Sequence, residues 1–188
     1  MIASAHRLRI DVLSPWLCSD GAGAGMLFDQ ATVRDDDGLP FVPGKHLKGL
    51  LRDALEHLVS WGQVATAGDL DDVVGLLFGA ESEGGERDFM PAGAYFGGLL
   101  TLTTAELPAC ARAPLLALTS AQRRRVLYLP QHSTRMEATG VAADKSLRVV
   151  EAAVPLTLEA IVAVDPGRSA LLAKENEPIL DEWPALLA

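Results

Sequence analysis

Apolar residues recur along this chain at two different spacings, and the change falls at Pro43-Gly44. Upstream, Arg7 to Leu13 (RLRIDVL) alternates polar and apolar as a half-buried strand does, and Ser14-Pro15 ends it. Met26 to Arg34 returns as a strand, Asp35-Asp36-Asp37-Gly38 turns, and Leu39 to Val42 completes a hairpin, since Asp-Gly suits a tight reversal. Pro43 then keeps Val42 extended. From Lys45, the residues Leu47, Leu50, Leu51, Ala54, Leu55 and Leu58 follow the i, i+3, i+4, i+7 spacing of one buried helix face. This predicts a helix to about Trp61 that stops at Gly62. At about 100° per residue, Lys45, Lys48, Gly49 and Arg52 fall on the opposite side.

Further on, DLDDVVGLLFG predicts a second, shorter helix capped by Asp69 and ended at Gly79. Glu81 to Asp88 reads as an acidic, glycine-bearing loop, and Ala94 to Thr103 as a central strand weakened at Gly97-Gly98. Ala111 to Leu129 is ambiguous, with Arg123-Arg124-Arg125 reading as the solvated face of a helix. Thr139-Gly140 is a turn and Leu147 to Val150 begins a strand, which predicts a hairpin over residues 130–152. Val154 to Val164 is the strongest strand pattern, closed by Asp165-Pro166-Gly167. Ser169 caps a last helical stretch within an acidic tail, residues 168–188.

At 188 residues, 49% of them apolar and 22% charged, the chain can bury a sizeable core, and one domain over 1–188 is the expectation. No apolar run approaches the ~20 residues of a membrane span, and the N-terminus has no uninterrupted apolar h-region. A cytoplasmic protein without a membrane partner is expected. Cys18 and Cys110 lack any CxxC spacing and read as reduced, partly buried thiols.

A net charge of −9 argues against nucleic acid until its distribution is considered. Residues 45–52 hold three cations and no acid, and residues 123–148 hold six cations against two acids. Local potential along a contact path governs association with RNA, so the two segments matter more than the total. The helix that begins near Lys45 adds unpaired N–H groups and a favourable dipole to its cations, and Gly49 removes a side chain from among them. That combination suits a phosphate backbone. A solvated helix face would look the same, and the two readings separate by mutation: reversing Lys48 and Arg52 to Glu should impair RNA retention with little effect on melting temperature. Other candidates are weaker. Ser19 to Gly25 is glycine-rich but has no GxGxxG or Walker pattern, and Asp35 to Asp37 could hold a divalent metal, although an exposed acidic turn is much the commoner explanation. His46 lies at the cationic face, His57 flanks the buried face, and His6 and His132 read as exposed.

Three motifs in order give these patterns a context. FVPGKHLKGLLRDAL resembles the PGSS-x-KG-x-x-R segment of the RAMP superfamily, the repeat-associated proteins of type III CRISPR effector complexes, and Asp29 precedes it where those proteins carry an aspartate. LLFGAESEGGERDFMPAGAYFGGLLTL resembles their LFG, polar glycine loop and aromatic strand. QHSTRMEATGVAADKSLRVVE resembles their R-x-x-I-x-x-x-T-G-x-A-x-x-x-x-L-x-x-x-E thumb. The resemblance covers roughly residues 7–165. It implies an α+β fold with an RRM-like (ferredoxin-like) core, a helical insertion and a thumb β-hairpin that leans over RNA. It also implies a backbone subunit of the Csm/Cmr type, stacking with copies of itself and other RAMP subunits along a CRISPR guide RNA.

By that resemblance Gly44, Lys45, His46, Lys48, Gly49 and Arg52 contact guide phosphates, and Arg135 with neighbouring thumb residues such as Lys145 packs across the RNA. Asp29 matches the aspartate that such subunits use to cut target RNA with a divalent metal, expected to be magnesium. A carboxylate there could hold the metal or accept a proton as a ribose 2′-hydroxyl attacks the adjacent phosphate. The alternatives are a RAMP structural or capping subunit that binds without cutting, and a CRISPR-RNA-processing endoribonuclease. The last needs an acid–base pair and a C-terminal glycine-rich loop that this sequence does not offer. Two departures stand out: Lys45-His46 replaces the family's Ser-Ser, and the chain ends at DEWPALLA without the family's glycine-rich loop and final strand.

Overall fold

A computed structural model describes residues 5–21, 27–63, 70–81 and 95–169. In chain order its elements are β1 (Ala5–Asp11), β2 (Gln30–Ala31), α1 (Gly44–Ser60), α2 (Leu70–Phe78), β3 (Ala80–Glu81), β4 (Tyr95–Phe96), β5 (Leu100–Leu102), α3 (Ala109–Leu116), α4 (Ser120–Leu127), β6 (Tyr128–Ser133), β7 (Arg148–Ala153), β8 (Thr157–Val164) and α5 (Pro166–Ser169). Strands order as β1-β8-β5, β2-β7-β6 and β3-β4, giving an α+β chain. The expected Asp69 cap, most of the 81–88 loop, part of the Ser19–Gly25 loop, the start of the Met26 strand and the tail beyond Ser169 lie outside the described residues. The chain divides into two compact units.

One unit comprises residues 1–8, 43–104 and 160–188. Helix α1 forms and ends where the apolar spacing predicts. Pro43 precedes it with extended backbone, and the carbonyls of His57 and Val59 accept from the N–H groups of Trp61 and Gly62. Gly62 adopts φ +69, a left-handed conformation open to glycine at little cost. Leu55 joins Val73, Val74, Leu76, Leu77 and Phe78 of α2, with Leu99, Leu100, Val162 and Val164, in one buried cluster, and Leu51 and Val59 pack against it. Each fully buried leucine of this kind contributes about 2 kcal/mol. The expected apolar face is narrower than its spacing suggested: Leu50 is 52% exposed and Ala54 is exposed as well. Contact with neighbours, which periodicity does not specify, decides which part of an apolar stripe is covered.

The expected strand from Ala94 to Thr103 is interrupted. Gly98 takes φ +73 between β4 and β5, and a Cβ there would lie 2.4 Å from the Phe78 carbonyl carbon. β5 is an edge strand, not the central one expected. Leu100, Thr101 and Leu102 pair antiparallel with Val164, Ala163 and Val162, and β8 is central. The strongest strand pattern thus occupies the middle of its sheet, though Val154 to Leu156 stay outside it.

The other unit comprises residues 9–42 and 105–159. The Asp35–Gly38 turn forms as predicted, with Gly38 at φ +78 and a single Arg34–Pro40 bridge beneath it. The strand expected from Met26 to Arg34 shrinks to β2, whose Gln30 and Ala31 pair parallel with Val150 and Glu151 of β7. The ambiguous 111–129 stretch resolves into α3 and α4, and α4 starts with a reciprocal Thr119–Gln122 capping box. β6 and β7 form the predicted hairpin, in register from Tyr128–Ala153 to Ser133–Arg148. Its tip carries a Met136–Ala142 bridge and Gly140 at φ +79. Cys18 is buried, whereas Cys110 is exposed instead of partly buried.

Candidate nucleic-acid interface and catalytic carboxylate

The cationic face of α1 is not uniformly solvated. Lys45 and His46 are exposed, and neither makes a side-chain hydrogen bond or ion pair among the described residues. Lys48 points into its own unit. Its Nζ donates to the Gly97 and Leu100 carbonyl oxygens, each at 2.7 Å. Burial, then repulsion from Arg168, pushes the Lys48 ammonium down to about 8, while Asp165 pulls the other way. Arg168 shares one of these acceptors, its Nη1 lying 3.1 Å from Gly97 O, and it also reaches Gly98 O at 2.6 Å. Arg52 donates to Gly79 O at 3.1 Å and to Glu56 Oε1 at 2.9 Å. Three cations therefore clamp the glycine-bearing turns around residues 79 and 97–98. The expectation that Lys48 and Arg52 could be reversed at little cost to melting is overturned, because a carboxylate at 48 would face two carbonyl oxygens.

Gly44 and Gly49 have different reasons to be glycine. A Cβ on Gly44 would come within 2.3 Å of the Leu102 carbonyl oxygen, so residue 44 is set by the close approach of α1 to β5. Around Gly49 there is open space, as an approaching strand would require. The first turn of α1 has no side-chain cap and no acid, which leaves its N–H groups to solvent or an anion.

In the other unit, Asp29 stands immediately before β2. Its backbone N–H donates to Val149 O at 2.8 Å, and its Oδ2 accepts from Val149 N–H at 2.7 Å. The exposed carboxylate is thus fixed against β7, and Oδ1 makes no hydrogen bond among the described residues. No group of three or more His, Cys, Asp or Glu is gathered for a metal among those residues. Magnesium typically keeps several waters and takes at most one or two carboxylates together with substrate phosphates. An RNA phosphate with the Asp29 carboxylate reached through those waters fits that ion and leaves Oδ1 open to a proton. The acidic turn is already committed: Arg112 reaches Asp35 Oδ2 at 2.8 Å and Asp37 Oδ2 at 2.5 Å, and Asp35 Oδ1 accepts from the Asp37 and Leu39 N–H groups.

The thumb gathers the two cations expected there. Arg135 and Lys145 line a polar cleft of about 450 Å³ with residues 133, 134, 144, 146 and Arg148. Lys145 is the one non-glycine residue at positive φ among the described residues, at +52. That left-handed backbone costs an L side chain about 1–2 kcal/mol.

Sequence reasoning missed Arg148 as a cleft residue, and it missed the ion cluster beneath. Glu151 is 3% exposed and binds Arg34 through Oε2 and Arg124 Nε through Oε1, the latter at 2.6 Å. Burial alone would raise its carboxyl, but the two guanidinium groups outweigh that and hold it below its usual range. Arg34 also lies over the Tyr128 ring at 4.6 Å, and Arg124 over Phe28 at 5.8 Å. Arg124 is thereby tied down, not merely solvated as the triple-arginine run suggested. A lone acid within the apolar run VVEAAV was the available signal. His57 is exposed and stacks on Trp61 at 5.6 Å, away from the burial expected beside it. His6 and His132 are exposed as expected.

Comparison with known proteins bears on these features. A family model described as the RAMP superfamily matches residues 9–129, a span that includes Asp29 and α1 and ends at the start of the thumb. No curated protein matches the chain. A cryo-electron microscopy structure of type III-B Cmr-β bound to cognate target RNA contains a chain of like fold: TM-score 0.57, 12% identity, 92% of this chain and 88% of that one covered. Type III-B Cmr-β in its apo state gives TM-score 0.55 at 13% identity, covering 93% and 89%. At these identities the likeness is one of fold, and it agrees with the ferredoxin-like α+β class expected from the sequence.

Proposed function

The chain belongs to the RAMP superfamily, and from that premise we propose that it is an RNA-binding subunit of a type III CRISPR interference complex that cuts target RNA at Asp29. The observation that carries the reading is the Asp29 carboxylate: exposed, and oriented by the Val149 N–H of β7, one of the two strands of the thumb hairpin. The relatives of like fold support membership in such a complex, since they come from type III-B Cmr-β. Guide phosphates meet the open first turn of α1 with Lys45 and His46, across the space over Gly49. Lys48 and Arg52 shape that surface from behind. The thumb meets RNA through Arg135 and Lys145.

For cleavage, Asp29 Oδ1 accepts the proton of a ribose 2′-hydroxyl as its oxygen attacks the adjacent phosphorus. The bond to the 5′-oxygen breaks, and that oxygen takes a proton from water, leaving a 2′,3′-cyclic phosphate and a 5′-hydroxyl. Magnesium, when bound, offsets charge on the phosphate oxygens. Asp29→Ala in the assembled complex should abolish target cleavage while guide binding persists, read on labelled target RNA. Cleavage at the parent rate by this variant would remove Asp29 from the chemistry. A non-cleaving subunit is the second reading, favoured by the hydrogen bond that gives Asp29 a structural task at the β2–β7 edge.

A further inference from the structure

We infer that Glu151 is a positioning residue for Asp29, holding it through Arg124 and Phe28 on one side and through Arg34 on the other. The inference rests on the reading of Asp29 given above and deepens it. Strand β2 is only two residues long, Gln30–Ala31, so its ladder to β7 does little to keep the preceding carboxylate still. Held by that ladder alone, the two hydrogen bonds between Asp29 and Val149 would fray. The side chains on either side of Asp29 supply what the ladder lacks.

On the near side, half-buried Phe28 lies beneath the Arg124 guanidinium, 5.8 Å from its ring centroid. The ring face attracts a cation so placed, but the Arg124 side chain stands on α4 and is 53% exposed, with many rotamers open to it. Glu151 Oε1 removes that freedom by accepting from Arg124 Nε at 2.6 Å. On the far side, Glu151 Oε2 accepts from Arg34. Its main-chain oxygen accepts from the N–H of buried Thr32 at 3.0 Å and from Thr32 Oγ1 at 3.1 Å. One residue of β7 thus grips the chain before and after Asp29, two positions from the N–H that orients the carboxylate. Well-packed apolar groups often stabilise a fold as well as a buried ion pair does, so an acid within this apolar run has another use. Placement is that use, because displacing a reacting group by about 1 Å can cost roughly a hundredfold in rate.

The test measures single-turnover cleavage at saturating labelled target RNA in the assembled complex, with the target affinity and melting temperature of the same variants. Arg124→Gln, Phe28→Leu and Glu151→Gln should each slow cleavage about tenfold with affinity unchanged. Phe28→Tyr, which keeps a ring for Arg124, should cleave at the parent rate. Because the contacts form one chain, adding Phe28→Leu to Glu151→Gln should slow cleavage by less than about threefold more. Slowing that multiplies in the double variant, or parent-rate cleavage in all three single variants, would overturn the inference. So would slowing that merely tracks the fall in melting temperature, with Phe28→Tyr no better than Phe28→Leu; the cluster would then serve stability alone. A second readout is independent of cleavage. In the full chain, amide exchange at Val149 should quicken roughly fivefold in Arg124→Gln and Phe28→Leu, while Ala153, whose N–H donates to Trp16 O, exchanges as in the parent. Unchanged exchange at Val149 would overturn the inference as well. If Asp29→Ala cleaves at the parent rate, the cleavage reading fails, and amide exchange alone decides whether this network holds Asp29.

Discussion

The cations of α1 and those of the thumb look alike in the sequence, yet the fold uses them oppositely. Lys48, with Arg52 and Arg168, donates to main-chain oxygens of Gly79, Gly97, Gly98 and Leu100. Arg135, Lys145 and Arg148 line an open cleft and donate to none of the described residues. The difference lies in the neighbours. Glycine-bearing turns expose carbonyls that no ladder satisfies, and a nearby cation is drawn onto them. The hairpin satisfies its own carbonyls through cross-strand bonds and leaves its cations for something else. Cationic residues are thus divided by the acceptors around them, not by their own spacing.

That contrast can be attacked in order of effect. Glu151→Ala should be the most damaging, since it strips Arg34 and Arg124 of a buried partner. The expected loss is about 3 kcal/mol in chemical denaturation. A negligible loss would mean that anchored cations matter little in this chain. Lys48→Met follows, at about 2 kcal/mol, because Leu100 O loses its charged donor while Gly97 O keeps Arg168. Melting at parent temperature would return Lys48 to the solvated class.

The pH dependence of the same lysine sharpens the point. With its ammonium pushed down to about 8 in the fold and ordinary when unfolded, the unfolded chain binds more protons between those values. Stability should therefore rise from pH 8 towards 10, and the rise should vanish in Lys48→Met. Tyr128, pushed up to about 12 chiefly by burial, acts in the opposite sense above pH 10. Smallest of all, Arg135→Gln should change stability by under about 0.5 kcal/mol, and Lys145→Gly should raise it by about 0.5–1 kcal/mol as left-handed strain is relieved. A marked loss in either would show that the thumb cations also belong to the fold.

Much of this was legible before any coordinates. The α1 boundaries, the Asp-Gly turn and the thumb hairpin follow from local signals, namely apolar period, proline and glycine, whose effects act within a few residues. Asp29 and Lys145 emerged as candidates from resemblance to a family. What stayed hidden depends on partners remote in sequence. Leu50 has the spacing of a core residue but is left about half exposed. Lys48 has the spacing of a surface residue but meets the turn at Gly97, 49 positions away. Arg112 quenches the acidic turn from 77 positions away, and Glu151 draws Arg34 from 117. No pattern within a helix turn or strand could report those meetings.

Gly44 and Gly98 carry a consequence for selection experiments. Any side chain at either would collide with main-chain atoms at 2.3–2.4 Å. A saturation library screened for interference should therefore deplete both positions as severely as it depletes residues of the proposed RNA surface. Loss at Gly44 would reach the screen as missing protein, whereas loss at Lys45, in the role proposed for it, would arrive as intact protein that lets its cargo go.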